Sequence, residues 1–207
     1  DSLNNSMTAS LSDLAVVLRQ AATLHDHGKV DDRFQAMLRR DGRTDAWLRT
    51  SHATSVLAKS DGVPQTPKER REARQRADLP DGFRHEMLSV QLAQKAASLS
   101  DDLLLRDLVL HLIAAHHGFA RPFAPVVIDK NPPNVEVDGI SLSANERLDC
   151  PAQRIDSGVA DRFWSLTRHF GWWGLAYLES LLRLADQLAS TAEDSGVLDD
   201  KVMATVC

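Results

Sequence analysis

The chain has 207 residues, 43% hydrophobic and 26% charged, with a net charge of −5 at neutral pH. This composition is typical of one globular domain with a sizeable core, and it excludes a protein that coats nucleic acid by charge alone. The apolar stretches are too short to span a bilayer, and two cysteines cannot form a disulfide framework for this size. We therefore expect a cytoplasmic protein without membrane association. Because residue 1 is not methionine, we expect residues 1–207 to be one domain of a longer protein.

The hydrophobic pattern predicts an all-α fold. Apolar residues recur at helical spacing from Leu14 to Leu24, and Ser12 or Asp13 could cap this first helix. The segment RFQAMLRR predicts a second, short helix. Polar residues with Pro and Gly predict that 41–82 is a long, partly irregular insertion with a little helix inside it.

Two amphipathic segments, RHEMLSVQLAQKAASL and DDLLLRDLVLHLIAAHHG, predict two further helices. Residues 119–160 carry little pattern, and we expect irregular structure there with a small β-hairpin that turns at Asp138 and Gly139. A long apolar helix from about Trp172 to Ser190 closes the predicted fold. Neither side of 119–160 looks able to bury a core alone, so we expect one domain.

The segment LHDHGK at the end of the first predicted helix has two interpretations. In one, Gly28 adopts the left-handed conformation that commonly ends helices, with His27 and Lys29 favourable near the carbonyl end. In the other, the adjacent His25 and Asp26 are metal ligands, and Lys29 faces an anion bound beside them. The segment alone leaves both interpretations open.

Other histidines and one aspartate lie at similar places. His85 stands near the start of one predicted helix, the pair His116 and His117 ends another, and Asp186 lies inside the last apolar helix. Burying an aspartate is costly without a compensating cation, so Asp186 either pairs with Arg183 or binds a metal ion. Imidazole and carboxylate ligands without thiolates suit divalent Mn, Fe, Co, Ni or Zn.

The order of these segments resembles that of the HD-domain metal-dependent phosphohydrolases. Within them, LHDHGKVDDRFQ, FRHEMLS and HLIAAHHG are similar to the HD nuclease domain of the CRISPR-associated helicase–nuclease of type I systems, over roughly 14–190. LIAAHHGFARPFAP and LLRLADQLAS look closest to the subtype whose HD domain follows the helicase. The resemblance implies an HD-domain helical bundle that is a metal-dependent phosphodiesterase, cleaving single-stranded DNA in type I CRISPR interference.

The resemblance also implies a site with two divalent transition-metal ions. The candidate metals are Mn, Fe, Co and Ni, and Mg is a further candidate. The first ion would be held by His25, Asp26 and Asp186. The second would share Asp26 as a bridge and be held by His85, His116 and His117. Asp26 and Lys29 would be catalytic, with Lys29 near the scissile phosphate. The family usually has a further ligand histidine before the His-Asp pair, and none precedes His25 here; such a ligand would lie upstream of residue 1, or the first ion would be weakly held.

A basic stretch is the candidate DNA contact. From Arg39 to Arg84 there are eleven Lys/Arg against seven Asp/Glu, most densely in KERREARQR. This run is either a solvated helix face with Glu–Arg pairs or a surface that contacts phosphates. The candidate DNA-binding residues are its basic side chains, Lys68, Arg70, Arg71, Arg74 and Arg76. The partners implied by the resemblance are single-stranded DNA, a helicase domain on this chain or another, and the guide-RNA surveillance complex.

Two other functions remain open. The first is an HD phosphohydrolase that acts on a nucleotide or cyclic nucleotide, and the second is a docking module whose metal site is degenerate. His111 and His169 are interpreted as packed or surface residues, as is His52. The tryptophans Trp164, Trp172 and Trp173 are interpreted as core or interface residues.

Overall fold

The computed structural model describes residues 9–39, 56–57 and 66–194, and it is predominantly helical, which confirms the predicted all-α class. Among these residues, no helix has the length and apolar character needed to cross a bilayer. The helices and strands are α1 (Leu11–Leu24), α2 (Asp32–Arg39), α3 (Pro67–Arg76), α4 (His85–Ala93), α5 (Leu103–Ala115), β1 (Val135–Val137), β2 (Ile140–Leu142), α6 (Ala144–Asp149) and α7 (Val159–Asp194), with 3₁₀ turns at His27–Val30 and Ile155–Ser157.

The main core lies between α1, α4, α5 and α7. Helix α5 is central, because α1, α4 and α7 all pack against it. Ala21 of α1, Leu112 of α5 and Leu182 of α7 are almost completely buried there. Full burial of each leucine contributes about 1.5–3 kcal/mol, so this packing fixes the relative positions of the four helices. The predicted ligand residues lie at the ends of α1, α4 and α5 and in the interior of α7.

A second apolar cluster joins α2, α4 and the β-hairpin through Phe34, Leu92 and Val135. The hairpin is confirmed: β1 and β2 are antiparallel, and their turn is formed by Asp138 and Gly139, both at positive φ. The hairpin turn lies against the first 3₁₀ turn, since Asp138 Oδ2 is 3.2 Å from His27 Nε2. The hairpin therefore covers the segment that carries the His-Asp pair.

Two element boundaries differ from the predicted ones. Helix α1 is capped by Ser10, whose hydroxyl accepts from the Asp13 amide while the Asp13 carboxylate accepts from Ser10. The predicted caps, Ser12 and Asp13, are wrong because the helix begins earlier at Leu11. Helix α7 begins at Val159, and it is interrupted at Gly171, whose φ of 69° requires glycine. This kink breaks the apolar periodicity, so the pattern indicated only the part after it.

The predicted insertion, 41–82, lies largely outside the described residues. Its described part contains the expected helix, α3, which Thr66 and Glu69 cap reciprocally and in which Pro67 occupies the first position. Ala73 of this helix and its C-cap residue Ala77 are buried, and α3 packs against α2.

Candidate metal centre

The His-Asp pair lies between the end of α1 and the 3₁₀ turn. The imidazole Nδ1 of His25 donates to the Ala22 carbonyl at 2.7 Å. The Gly28 amide donates to Ser89 Oγ of α4 at 2.8 Å, and a Cβ atom on Gly28 would lie 2.0 Å from the His85 carbonyl oxygen. Gly28 is not among the residues at positive φ, so its interpretation as a left-handed helix stop is wrong. Glycine is needed because the turn approaches α4 too closely for a side chain.

The first residue of α4 places a second imidazole beside the pair. His85 Nε2 lies 3.1 Å from Asp26 Oδ1, although the two atoms lack hydrogen-bond geometry. The next residue, Glu86, is buried, and its Oε2 is 3.7 Å from His85 Nδ1. The sequence interpretation assigned no role to Glu86; a glutamate directly after a candidate ligand at a helix start was the available signal.

The end of α5 supplies the paired imidazoles. The His116 Nδ1 donates to the Ile113 carbonyl at 2.7 Å, and the rings of His116 and His117 are 4.0 Å apart. The His25 ring is 5.0 Å from that of His116. Asp186 of α7 completes the cluster, with its Oδ1 3.5 Å from His25 Nε2. Its described ion-pair contact is therefore with His25 and not with Arg183.

Three imidazole nitrogens in this cluster are buried without a hydrogen-bond partner: Nε2 of His25, of His85 and of His116. In His25 and His116 the Nδ1 atom donates to a carbonyl, so Nε2 carries the lone pair that a metal ion requires. Unpaired buried polar atoms are costly and rare in proteins. The residues present therefore fit a divalent metal ion. Two groups have ligand atoms within 4.8 Å of one another: His85, His116 and His117, and His25, Asp26 and His116.

The electrostatics of the cluster favour an ionised Asp26 and a neutral His116. Burial alone would raise the pKa of Asp26, but His85, His25 and Lys29 together hold it well below its usual range. Lys29 Nζ contributes directly, because it lies 2.7 Å from Asp26 Oδ2. Burial lowers the pKa of His116 to about 3, with a further contribution from the neighbouring His117. These are the protonation states that metal ligands need.

The structure thus brings together the six predicted ligand residues, and their role as ligands stays a prediction. His27 instead pairs with Asp138 of the hairpin turn. Of the other histidines, His111 is buried against Glu179 at 2.7 Å, His169 is exposed, and His52 lies outside the described residues.

The candidate DNA-binding residues lie on α3. Arg74 is half-buried and the other four basic side chains, Lys68, Arg70, Arg71 and Arg76, are exposed. Lys68 Nζ lies 3.9 Å from a Glu72 oxygen, which is the kind of pair expected of a solvated face. The three tryptophans Trp164, Trp172 and Trp173 are exposed, so they do not belong to the core.

The bundle gathers His-Asp, His and His-His from helix ends and an Asp from the interior of α7, next to an apolar core. This arrangement defines a metal-dependent hydrolase of the HD class. The family model described as Cas3, HD domain matches residues 1–194. The chain therefore belongs to the family of Cas3 HD domains, which confirms the resemblance found in the sequence. No curated protein and no solved structure gives a significant match.

Proposed function

We propose that this chain is a nuclease that uses two divalent metal ions to cleave single-stranded DNA in type I CRISPR interference. The observation that carries the proposal is the set of three unpaired, buried Nε2 atoms around the ionised Asp26. Membership of the Cas3 HD-domain family supports hydrolysis of phosphodiesters rather than an inert docking role.

The two oxygens of Asp26 support its proposed role as a bridge. Oδ1 faces His85 at 3.1 Å, whereas Oδ2 faces His25 at 3.5 Å and Lys29 at 2.7 Å. A carboxylate with its oxygens directed to different histidines can serve two ions, which one imidazole nitrogen cannot. The proposed ligands are His25, Asp26 and Asp186 for one ion and Asp26, His85, His116 and His117 for the other.

The chain's own residues have distinct roles in this proposal. When bound, the ions supply the Lewis acidity that lowers the pKa of water and polarises a phosphoryl oxygen. The His25 and His116 imidazoles are oriented by the carbonyls that their Nδ1 atoms contact. Lys29 holds Asp26 in place and sets a positive charge beside the cluster, where it would offset negative charge developing on the phosphate.

The exposed face of α3 is the proposed contact for the DNA strand. Burial lowers the pKa of Arg74, and repulsion from Arg84 and Arg70 lowers it further, against an opposing effect of Asp81. Arg84 directly precedes His85, and its guanidinium carbon lies 3.7 Å from the centre of the Phe119 ring. This basic surface is therefore connected to the cluster through α4.

The proposed partners are a helicase domain in cis or in trans and the guide-RNA surveillance complex, in the cytoplasm.

The proposal is tested by incubating the metal-free protein with single- and double-stranded DNA after adding back Mn, Co, Ni or Mg. We expect cleavage of the single strand that depends on added metal. Hydrolysis of a nucleotide or cyclic nucleotide without DNA cleavage would instead support the phosphohydrolase. Absence of bound metal from the purified and reconstituted protein would support the docking module.

Asp26→Ala sharpens this test. We expect it to abolish cleavage while the fold persists, because the Asp26 side chain lines the surface and is 31% exposed. Asp138→Ala is the matched control, since it also removes a carboxylate next to a histidine of this segment but contacts no proposed ligand. Circular dichroism measures the fold and gel electrophoresis measures cleavage. Full metal-dependent cleavage by a folded Asp26→Ala protein would refute the bridging role.

A further inference from the structure

A cavity of about 280 Å³ lies on α7, between its kink and the segment that follows α5. Its wall includes two charged residues, Arg121 and Glu179, and the exposed ring of Trp172. Leu175 and Ala176 line its apolar floor. Its volume is close to the lower limit of small-ligand sites, about 300 Å³, which suits a single nucleotide unit.

Arg121 is held by a buried pair of side chains. Its Nη2 atom lies 2.7 Å from Glu179 Oε2, and the other Glu179 oxygen lies 2.7 Å from His111 Nε2. His111 and Glu179 are buried, whereas the Arg121 side chain is 40% exposed. A guanidinium has five donors, and both contacts described for it use Nη2. The remaining donors can face a phosphate in the cavity.

Trp172 lines the same cavity with an exposed aromatic ring. Its side chain is 63% exposed, yet its orientation is fixed by ring contacts with Trp164 at 5.9 Å and Phe163 at 6.0 Å. An ordered, exposed indole is a platform on which an unstacked base can lie. Duplex DNA has no unstacked bases, so this feature favours a single strand.

The cavity is placed along a path to the metal-binding cluster. Trp172, Glu179 and Asp186 are separated by seven residues each, which is two helical turns, so they share one face of α7. Glu179 is therefore roughly 10 Å from Asp186 along the helix, a distance that a few nucleotides of a single strand can span. Arg121 Nη2 also lies 3.5 Å from the carbonyl of Ala115, the residue before His116.

We infer that this cavity is a subsite for one nucleotide of the single-stranded substrate, a few nucleotides from the scissile bond. Arg121 binds a backbone phosphate, and Trp172 stacks on a base. Glu179 and His111 are positioning residues that orient Arg121. The inference rests on the proposed nuclease function, because the subsite has a purpose only if a strand reaches the cluster.

The test compares Trp172→Ala with Trp173→Ala in the metal-free protein. Trp173 is the matched control because it is the adjacent tryptophan, is 89% exposed and does not line the cavity. Binding of a labelled single-stranded oligonucleotide is followed by fluorescence anisotropy. We expect Trp172→Ala to weaken binding roughly 5- to 150-fold, the range for loss of one base stack, and Trp173→Ala to leave it unchanged. Trp172→Tyr should restore most of the affinity.

An oligonucleotide without bases separates stacking from a change of fold. On this oligonucleotide, wild type and Trp172→Ala should bind with equal affinity, because no base is available to stack.

For the phosphate contact, Arg121→Gln should lower the slope of log affinity against log salt by roughly 0.7, whereas the exposed Arg19→Gln should not. Metal-dependent hydrolysis of a small chromogenic phosphodiester should be unchanged in the control variants Trp173→Ala and Arg19→Gln.

The two hypotheses fail in different ways. If the wild type cleaves single-stranded DNA but Trp172→Ala binds it as tightly as Trp173→Ala does, only the subsite is refuted. Equal loss on oligonucleotides with and without bases would also refute stacking. If the wild type neither binds nor cleaves single-stranded DNA, both the nuclease function and the subsite are refuted.

Discussion

Gly28 determines how closely the turn carrying Asp26 approaches α4. Any side chain here would meet the His85 carbonyl oxygen at 2.0 Å and the Ser89 amide at 2.8 Å, and both atoms belong to the backbone of a buried helix. Neither can move aside without shifting α4. The absence of a side chain at Gly28 therefore allows Asp26 and His85 to lie close together.

We expect Gly28→Ala to destabilise the protein by about 1–3 kcal/mol or more, because the added methyl overpacks a backbone contact. It should also weaken metal binding, since Asp26 Oδ1 and His85 Nε2 can no longer lie 3.1 Å apart. Urea denaturation and metal titration measure the two effects. Gly174→Ala is the control: its Cβ would meet only Phe170 Cβ, at 3.4 Å, inside α7, where alanine is favoured. A Gly28→Ala protein as stable as Gly174→Ala would contradict the close approach.

For single residues, the sequence predicted which side chains belong to the site better than it predicted which atoms they contact. His25, Asp26 and the paired histidines stood out because polar residues at the ends of apolar helices need a partner. The reason for Gly28 could not be predicted, since it depends on an atom of His85, distant in sequence. The burial of Glu86 likewise depends on the packing of α4 against other elements.

Helix α3 is the element whose role is least fixed by packing. Apart from Ala73 and the half-buried Arg74, its residues point to solvent. Such a helix gains little from its exposed charges, because pairs like Lys68 with Glu72 are worth well under about 1 kcal/mol. Its basic face can therefore be altered with little effect on the fold.

Neutralising the five basic residues of α3 should weaken binding of single-stranded DNA and flatten its salt dependence. Each lost phosphate contact lowers the slope of log affinity against log salt by roughly 0.7. Metal content and hydrolysis of a small phosphodiester should not change, because no residue of α3 belongs to the proposed ligand set. Titrations at several salt concentrations measure the slope. Identical slopes for wild type and variant would show that α3 is only a solvated face.

A buried ionic network connects elements that lie far apart in sequence. Asp31 accepts from Arg33 of α2 and Arg147 of α6, both at 2.9 Å, and Arg33 also binds Asp129 at 2.7 Å. Asp31 is completely buried. Burial alone would raise its pKa, but Arg33 and Arg147 hold the pKa below its usual value. The network anchors the irregular segment around Asp129 to the helices.

Asp31→Asn should destabilise the protein by about 3 kcal/mol at pH 7, since two buried arginines lose their shared carboxylate. Because the folded pKa of Asp31 is lowered, its contribution is present above its unfolded pKa of about 3.8 and is lost as the pH falls through the folded value. The difference between wild type and variant should therefore shrink in acid, as measured by urea denaturation at pH 7 and pH 3. Glu72→Gln, in the exposed pair with Lys68, is the control and should change little. A difference that grows in acid would contradict this account.

The helices and strands that have strong local sequence signals were predicted correctly. The Asp138-Gly139 turn predicted the hairpin, and the helical pattern of DDLLLRDLVLHLIAAHHG predicted α5, which Asp102 caps. The start of α7 could not be predicted, because Gly171 divides its apolar pattern. The network around Asp31 was not predicted because its partners come from separate elements.

For the whole molecule, the candidate metal-binding cluster lies where the four core helices meet. Its residues come from the end of α1, the start of α4, the end of α5 and the interior of α7. An ion bound by residues from several helices stabilises the folded bundle, since the unfolded chain does not hold these groups together. Metal binding should therefore raise the stability of the whole domain rather than that of one loop.

Adding Mn²⁺ at about 100 times its dissociation constant should stabilise the fold by about 2.7 kcal/mol. For a domain of this size, that corresponds to a rise in Tm of roughly 5 to 10 °C relative to protein in chelator. His85→Ala should lose most of this rise because it removes a proposed ligand, whereas His169→Ala, at an exposed position on α7, should keep it. Scanning calorimetry at several Mn²⁺ concentrations measures both. An equal rise in His85→Ala and His169→Ala would show that the ion stabilises the protein from another site, and the assignment of the cluster would be wrong.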